Sequence, residues 1–246
     1  MNELQARIGL QEHIRTRSWG DLPLNSYQIV YADPPWDYYG DPNKSQAAGK
    51  HYSLMSIEEL SALPVSSIMA KRSILLLWAT CPKLDVAIDL IRAWNLTFRG
   101  VFHNWVKTTQ AGKIIAGQGA RPSFTKPTSE LLLVASTVPK GRPIQILDEG
   151  MAQVVAVARP GNIHSRKPQI CRTNIETLYG PDVRKIELFA RTAHPGWDAW
   201  GNQVPINGEK DVEGRLDNEA NEVGFETRDS IGRYCNNDCN AGDIDP

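Results

Sequence analysis

The sequence has few of the features that mark secreted, metal-binding or membrane proteins. Its four cysteines in 246 residues show no paired framework, which excludes a disulfide-rich scaffold and favours a reducing compartment. Cys235 and Cys239 are spaced as C-x-x-x-C, but no histidine or further cysteine lies near them, so we expect no metal site. The longest apolar run, Ile74–Ala79, is too short to cross a membrane. The first residues, Met1–Arg7, lack an apolar core, so we expect no secretory signal and a soluble, cytoplasmic protein.

Charge is nearly balanced over the whole chain but not along it. The net charge is −1, yet residues 207–246 hold 11 acidic and 4 basic residues. Residues 1–206 therefore hold 23 basic and 17 acidic residues. A mildly basic body that is followed by an acidic segment rich in Gly, Asn and Asp predicts one folded domain with a disordered tail.

The most informative feature that is present is Asp33-Pro34-Pro35-Trp36, which follows the apolar stretch Tyr27–Ala32. Neither proline can donate to a strand ladder, so the pattern predicts a strand that ends in a rigid turn. A carboxylate, backbone carbonyls and a flat ring then lie together at the strand end. That set suits an exocyclic amine on a planar base, which needs two hydrogen-bond acceptors and a stacking face.

The remaining patterns alternate between strands and helices. Ser56-x-x-Glu59 is a capping box that opens a short helix, and helices are also expected after Pro82 and from Pro168 to Gly180. Apolar runs predict further strands over residues 73–80, 98–107, 130–137 and 184–190. Such alternation predicts a layered α/β fold whose ligands bind at the carboxyl ends of the strands, where Asp33, Thr80 and Arg191 would lie.

The segment between the predicted strands at 98–107 and 130–137 is long and carries several glycines and cations. Loops of this length in folded domains are usually functional or disordered, and we expect a functional loop because it would lie at the same edge as Asp33. Its basic residues are candidates for phosphate contacts, together with Lys107 at the preceding strand end. The loop cations are Lys113, Arg121 and Lys126.

These motifs resemble those of the N6-adenine methyltransferases that carry a D-P-P-W signature. This is the family of the seventy-kilodalton subunit of the mRNA adenosine methyltransferase, and the chain resembles its small bacterial or phage-type members. The agreement covers roughly residues 27–206 and includes further motifs in the same order: His51–Ser56, Trp105–Thr108, His164–Pro168, Lys185–Arg191 and Gly201–Gln203.

The resemblance implies a Rossmann-like fold for S-adenosylmethionine-dependent methyl transfer, with a mostly parallel sheet flanked by helices and the catalytic half before the cofactor half. It divides the chain into an N-terminal extension (1–26), a methyltransferase domain (27–206) and an acidic, disordered tail (207–246). It implies S-adenosylmethionine as the cofactor. The residues that it places at the cofactor are Asp33, Lys167, Phe189, Arg191, Asn202 and Gln203.

The resemblance also implies a catalytic role for Asp33, Pro34, Pro35 and Trp36. Asp33 and the Pro34 carbonyl would bind the two N–H groups of the adenine amine, and Trp36 and Tyr52 would sandwich the base. The resemblance favours DNA as the substrate, because the chain shows no added RNA-binding module. RNA methylation and a catalytically silent nucleic-acid-binding scaffold remain alternatives, and a homodimer stays open. From the residues alone, Phe189 could equally be core, and Lys167 and Arg191 could be solvated charges.

Overall fold

A computed structural model describes residues 13–36, 54–115, 124–160 and 166–206, which all belong to one folded unit. Eight strands in these residues form one sheet in the order β1-β8-β7-β2-β3-β5-β4-β6. All of them run in one direction except β5, which is antiparallel to both of its neighbours. The strands are β1 Arg15–Thr16, β2 Tyr27–Ala32, β3 Met69–Thr80, β4 Thr97–Thr108, β5 Ser129–Ser136, β6 Val154–Ala158, β7 Lys185–Leu188 and β8 Asp198–Trp200.

Helices cover both faces of the central strands. They are α1 Ile57–Ala62, α2 Val65–Ile68, α3 Leu84–Ala93 and α4 Gln169–Tyr179. Neighbouring residues of β2 point to opposite faces, so Val30 packs in one apolar cluster with α1 and α3, whereas Tyr31 packs in another with α4. The apolar run of β3 is buried on both faces, as expected for an interior strand of a mostly parallel sheet.

The direction of the strands brings several segments to one edge of the sheet. Asp33 follows β2, Thr80 ends β3, and Phe189 and Gly201 follow β7 and β8. Because β5 runs the other way, its amino end lies at this same edge, where Glu130 is paired with Thr80 of β3 and with Trp105 of β4. This edge therefore carries both the predicted catalytic turn and the predicted cofactor segments.

Most of the elements expected from sequence are present. The strand at Tyr27–Ala32 and the capping box of Ser56 and Glu59 are confirmed, and the strand expected at 73–80 is the second part of β3. Pro82 lies in a 3₁₀ turn that leads into α3, and α4 begins directly after Pro168. Three short strands, β1, β6 and β8, were not predicted from the sequence.

The first of these strands falls within the predicted N-terminal extension. Arg15–Thr16 pairs with β8, so the sheet includes residues before position 27. The proposed boundaries at 26 and 206 stay predictions, and the acidic tail lies outside the described residues. No helix in the described part of the chain is long and apolar enough to cross a membrane.

Candidate active site

The turn after β2 is held by backbone hydrogen bonds on both sides. The Trp36 N–H donates to the Pro34 carbonyl at 2.9 Å, and the Met55 N–H donates to the Pro35 carbonyl at 3.0 Å. Trp36 is only 8% exposed and packs in the apolar cluster of α1 and α3. Since the prolines also fix their own φ angles, the position of Asp33 is determined by the backbone around it.

A pocket of about 240 Å³ opens beside this turn. It is bounded by the ends of β2, β3, β7 and β8 and by the start of β5. Its lining includes Asp33–Trp36, Trp78–Thr80, Glu130, Lys167, Phe189–Arg191 and Trp200–Gln203. The pocket therefore brings together residues that are up to 170 positions apart in the sequence.

A row of charged side chains of alternating sign leads into one wall of the pocket. The Lys167 ammonium lies 2.7 Å from Asp33 Oδ2 and 3.4 Å from Glu130 Oε2. The other Glu130 oxygen, Oε1, lies 2.5 Å from the Lys107 ammonium. We call Lys107, Glu130, Lys167 and Asp33 the charge chain. Lys167, in its middle, is only 13% exposed, so its attraction to the two carboxylates is weakly screened by water.

Burial and neighbouring charges shift the pKa values of three members of the charge chain. Burial raises the pKa of Asp33, although the positive charge of Lys167 acts in the opposite direction. Burial alone would raise the pKa of Glu130, but Lys167 and Lys107 outweigh it and lower that pKa below its ordinary value. Burial opposes the charge on Lys167, yet Asp33 and Glu130 raise its pKa, so the ammonium stays charged at neutral pH.

The opposite wall is shaped largely by backbone contacts. Phe189 has a left-handed φ of 61°, which turns the chain sharply after β7. The Ala190 N–H then donates to the Trp200 carbonyl at 3.0 Å. A Cβ at Gly201 would lie 2.3 Å from the Ala190 carbonyl oxygen, so only glycine fits at this close approach. The Phe189 ring packs edge-on against Trp200, with 5.4 Å between the ring centroids.

The family model of MT-A70 matches residues 27–203. The chain belongs to the MT-A70 family. The match confirms the family that the D-P-P-W and later motifs indicated, and the mostly parallel sheet confirms the expected Rossmann-like methyltransferase fold. Methyltransferases of the MT-A70 family depend on S-adenosylmethionine.

Several MT-A70 relatives of different length resemble the chain. The type II methyltransferase M.MunI of Mycoplasma sp is 32% identical over 76% of this chain and 81% of its own length. The human N6-adenine-specific methyltransferase METTL4 is 26% identical over 73% of this chain, which spans only 38% of METTL4. The N6-methyladenosine RNA methyltransferase MTA1 of Cryphonectria parasitica is 28% identical over 77% of this chain, which spans 54% of MTA1.

The pocket lining fits the cofactor on which MT-A70 methyltransferases depend. Two buried polar atoms of lining residues, Thr80 Oγ1 and Trp200 Nε1, have no hydrogen-bond partner among the described residues. Buried polar groups are normally satisfied, so these two atoms leave hydrogen-bonding capacity for a polar ligand or an ordered water. The amides of Asn202 and Gln203 and the guanidinium of Arg191 offer donors for hydroxyl and carboxylate groups.

The structure brings all the predicted cofactor residues to this pocket, but the predicted phosphate contacts lie in different settings. Lys113 and Lys126 are exposed on the β4–β5 loop, whereas Lys107 is paired with Glu130. Tyr52 and Arg121 lie outside the described residues. Lys167, expected at the cofactor carboxylate, lies between two carboxylates of the protein itself. These individual roles stay predictions.

Glu130 is the site residue that sequence reasoning missed. Its only local signal is an acid at the start of an apolar strand, directly after a basic loop. In an all-parallel sheet such a residue would lie at the edge opposite Asp33. The reversed direction of β5 brings it to the pocket instead, and no local pattern encodes that direction.

Proposed function

We propose that this chain transfers a methyl group from S-adenosylmethionine to the N6 amine of adenine in DNA. The observation that carries the proposal is the Asp33 carboxylate, which is fixed at the end of β2 beside a pocket and held by Lys167 at 2.7 Å. MT-A70 membership supports the reaction class, and the name of METTL4 supports adenine N6 as the acceptor.

Asp33 and Pro34 would activate the acceptor amine. The adenine amine is a poor nucleophile because its lone pair is delocalised into the ring. Asp33 Oδ2 accepts from Lys167, so we assign Oδ1 to one amine N–H. The Pro34 carbonyl already accepts the Trp36 N–H, and its second lone pair can accept the other amine N–H. Two such bonds draw the nitrogen toward a tetrahedral form whose lone pair is available for attack.

The raised pKa of Asp33 and the charge of Lys167 have complementary effects on this step. A carboxylate with a higher pKa is a stronger hydrogen-bond acceptor, while Lys167 keeps it ionised and oriented. S-adenosylmethionine supplies an electrophilic methyl on a sulfonium. The N6 nitrogen would form the new N–C bond as the S–C bond breaks, and the electron pair of the S–C bond would remain on sulfur. N6 would then release one proton to water.

The aromatic residues around the acceptor differ in what they can contribute. Only 8% of Trp36 is exposed, so base stacking on it would depend on the small part of the ring that borders the pocket. Phe189 is half-buried on the opposite wall and offers an apolar surface to the cofactor. In duplex DNA the target base must leave the stack to reach Asp33, which costs a few kcal/mol.

We prefer DNA as the substrate because the chain spans most of a type II methyltransferase but a smaller share of its other relatives. The chain spans 81% of the type II methyltransferase M.MunI but 54% or less of METTL4 and MTA1. RNA is the second candidate, since MTA1 is an RNA methyltransferase. A silent scaffold is the third, and the intact D-P-P-W turn beside an open pocket argues against it. Calorimetric titration with S-adenosylmethionine tests it separately, because a scaffold with a closed pocket would bind none.

The deciding experiment is transfer of labelled methyl from S-adenosylmethionine to duplex DNA, single-stranded DNA and RNA of the same sequence. We expect N6-methyladenine chiefly in DNA. Asp33→Asn keeps the side-chain shape but removes the charge, and we expect a loss of about 10²- to 10³-fold in rate. Asp89→Asn is the matched control, because Asp89 is 71% exposed on α3 and lines no part of the pocket.

Each alternative has its own outcome in this assay. Faster transfer to RNA would make RNA the substrate. An Asp33→Asn variant that is as active as Asp89→Asn would overturn the role of Asp33. Folded wild-type protein that binds S-adenosylmethionine but methylates none of the three nucleic acids would overturn the proposed activity.

A further inference from the structure

Lys107 differs from the other cations around the β4–β5 loop. Its ammonium lies 2.5 Å from Glu130 Oε1 and 5.1 Å from the centre of the Trp105 ring, and its side chain is only 26% exposed. Lys113 and Lys126 are exposed and free of such neighbours in the described part of the chain. The side chain of Lys107 is thus directed to an acid of the pocket.

The backbone of Lys107 holds the two ends of the same loop. Its N–H donates to the Thr128 carbonyl at 2.9 Å, and its carbonyl accepts from the Ile115 N–H at 2.9 Å. The first bond fixes the loop where it returns to β5, and the second fixes it where it leaves β4. Lys107 therefore contacts the loop through its backbone and the charge chain through its side chain.

Two tryptophans support the two ammonium groups of the charge chain. Lys107 lies over Trp105 and Lys167 lies over Trp78, at 5.1 and 5.6 Å from the ring centroids. The two rings are buried and contact each other edge-on, with their centroids 6.1 Å apart. Both cations are consequently held by an aromatic face as well as by Glu130.

We propose that Lys107 is a positioning residue for methyl transfer, acting on Asp33 through Glu130 and Lys167, rather than a phosphate contact. The inference rests on the proposed function and deepens it. Lys167 lies closer to Asp33 than to Glu130, at 2.7 against 3.4 Å. Lys107 neutralises Glu130 from its other side. Without Lys107, Glu130 attracts Lys167 more strongly, and the ammonium shifts away from Asp33.

The first test separates rate from affinity. Lys107→Met keeps the aliphatic stem over Trp105 but removes the charge, and we expect kcat to fall about 10- to 100-fold while KM for DNA stays within about twofold. Lys107→Arg keeps the charge and should restore most of kcat. Lys140→Met is the matched control, because Lys140 is exposed in the segment after β5, at the edge of the sheet opposite the pocket. A raised KM with unchanged kcat would overturn the inference.

The second test uses the salt dependence of DNA binding. A lysine that contacts phosphate releases about one counterion, so its removal lowers the slope of log Kd against log salt by about one. We expect that change for Lys113→Met and an unchanged slope for Lys107→Met. A reduced slope for Lys107→Met would assign Lys107 to phosphate and contradict the positioning role.

The third test does not require activity. The ¹³Cγ NMR signal of Asp33 should move in Lys107→Met and stay in place in Lys140→Met. In a Glu130→Gln background, Lys107→Met should move it no further, because the coupling passes through Glu130. An Asp33 signal that does not move in Lys107→Met would overturn the inference, whether or not the protein is active. If the Asp33 signal moves in Lys107→Met but the wild-type protein transfers no methyl group, the proposed function is overturned and the coupling between Lys107 and Asp33 stands.

Discussion

Asp33 and Asp198 belong to the same sheet, but their surroundings differ. Asp33 lies at the carboxyl edge, is 27% exposed and, among the described residues, accepts from the Lys167 ammonium. Asp198 begins β8 at the opposite edge and is 3% exposed. It accepts from four groups: the Ile14 N–H, the Tyr27 hydroxyl, the Arg184 guanidinium and the His13 ring.

The difference separates a structural carboxylate from a candidate catalytic one. The donors around Asp198 come from the two residues before β1, from β2 and from the residue before β7, so this side chain joins segments that are distant in sequence. Its acceptor capacity is used within the protein. Asp33 keeps acceptor capacity toward the pocket, and its raised pKa means that the folded protein disfavours the ionised form. Such a cost to stability is expected where a group serves a ligand.

Asp198→Asn should have the largest effect on the stability of the fold. An amide nitrogen in place of Oδ2 would face the donors of Tyr27 and Arg184, so the variant loses hydrogen bonds and leaves a cation poorly paired. We expect the free energy of unfolding at pH 7 to fall by roughly 2–4 kcal/mol. Urea unfolding of the full chain, followed by tryptophan fluorescence, measures it.

Asp33→Asn is the matched control for this measurement, because it makes the same chemical change at the other edge. We expect it to leave the free energy of unfolding within about 1 kcal/mol of wild type or to raise it. Equal destabilisation by the two substitutions would show that Asp33 is as structural as Asp198 and would remove the distinction.

The two aspartates also differ in how far the sequence could predict them. Asp33 could be predicted because its sequence signal is local: an apolar run, an acid and two prolines lie next to one another. Asp198 has no such signal, since its partners lie 14 to 185 positions away and β8 is only three residues long. Short strands are stabilised by their neighbours rather than by their own pattern, and β1 was missed for the same reason.

The candidate site shows the same limit. The residues of the pocket that follow apolar strands could be predicted, including Asp33 and Arg191. Glu130 could not, because its place depends on the direction of β5. The left-handed φ of Phe189 could not either, because it depends on the close contact between Ala190 and Gly201. Local chemistry was predictable from sequence, whereas the geometry between distant strands was not.

Tyr27→Phe should have an intermediate effect and sharpens the description of Asp198. It removes one hydroxyl that donates to Asp198 Oδ2 at 2.7 Å, while the ring stays in place beneath Arg184. We expect a loss of about 1.5–3 kcal/mol in urea unfolding, typical of a hydrogen bond to a charged acceptor. Tyr179→Phe is the control, since the Tyr179 hydroxyl has no hydrogen-bond partner in the described residues. A loss no larger than that of the control would mean that the other donors satisfy Asp198 without Tyr27.

The smallest effects should appear in the pH dependence of stability, and they distinguish the two acids that share Lys167. The pKa of Glu130 is lowered in the folded protein, so its ionisation contributes stability above about its ordinary value of 4.5, and this contribution is lost as the pH falls through the lowered pKa. The pKa of Asp33 is raised, so stability is lost as the pH rises from 3.8 through the raised value.

We expect Glu130→Gln to be less stable than wild type at pH 7 and Asp33→Asn to be at least as stable. Both differences should shrink in urea unfolding at low pH. If both variants were less stable than wild type at pH 7, Asp33 would not be an acid whose ionised form destabilises the fold. If both were more stable, Glu130 would not be the stabilising partner of Lys167.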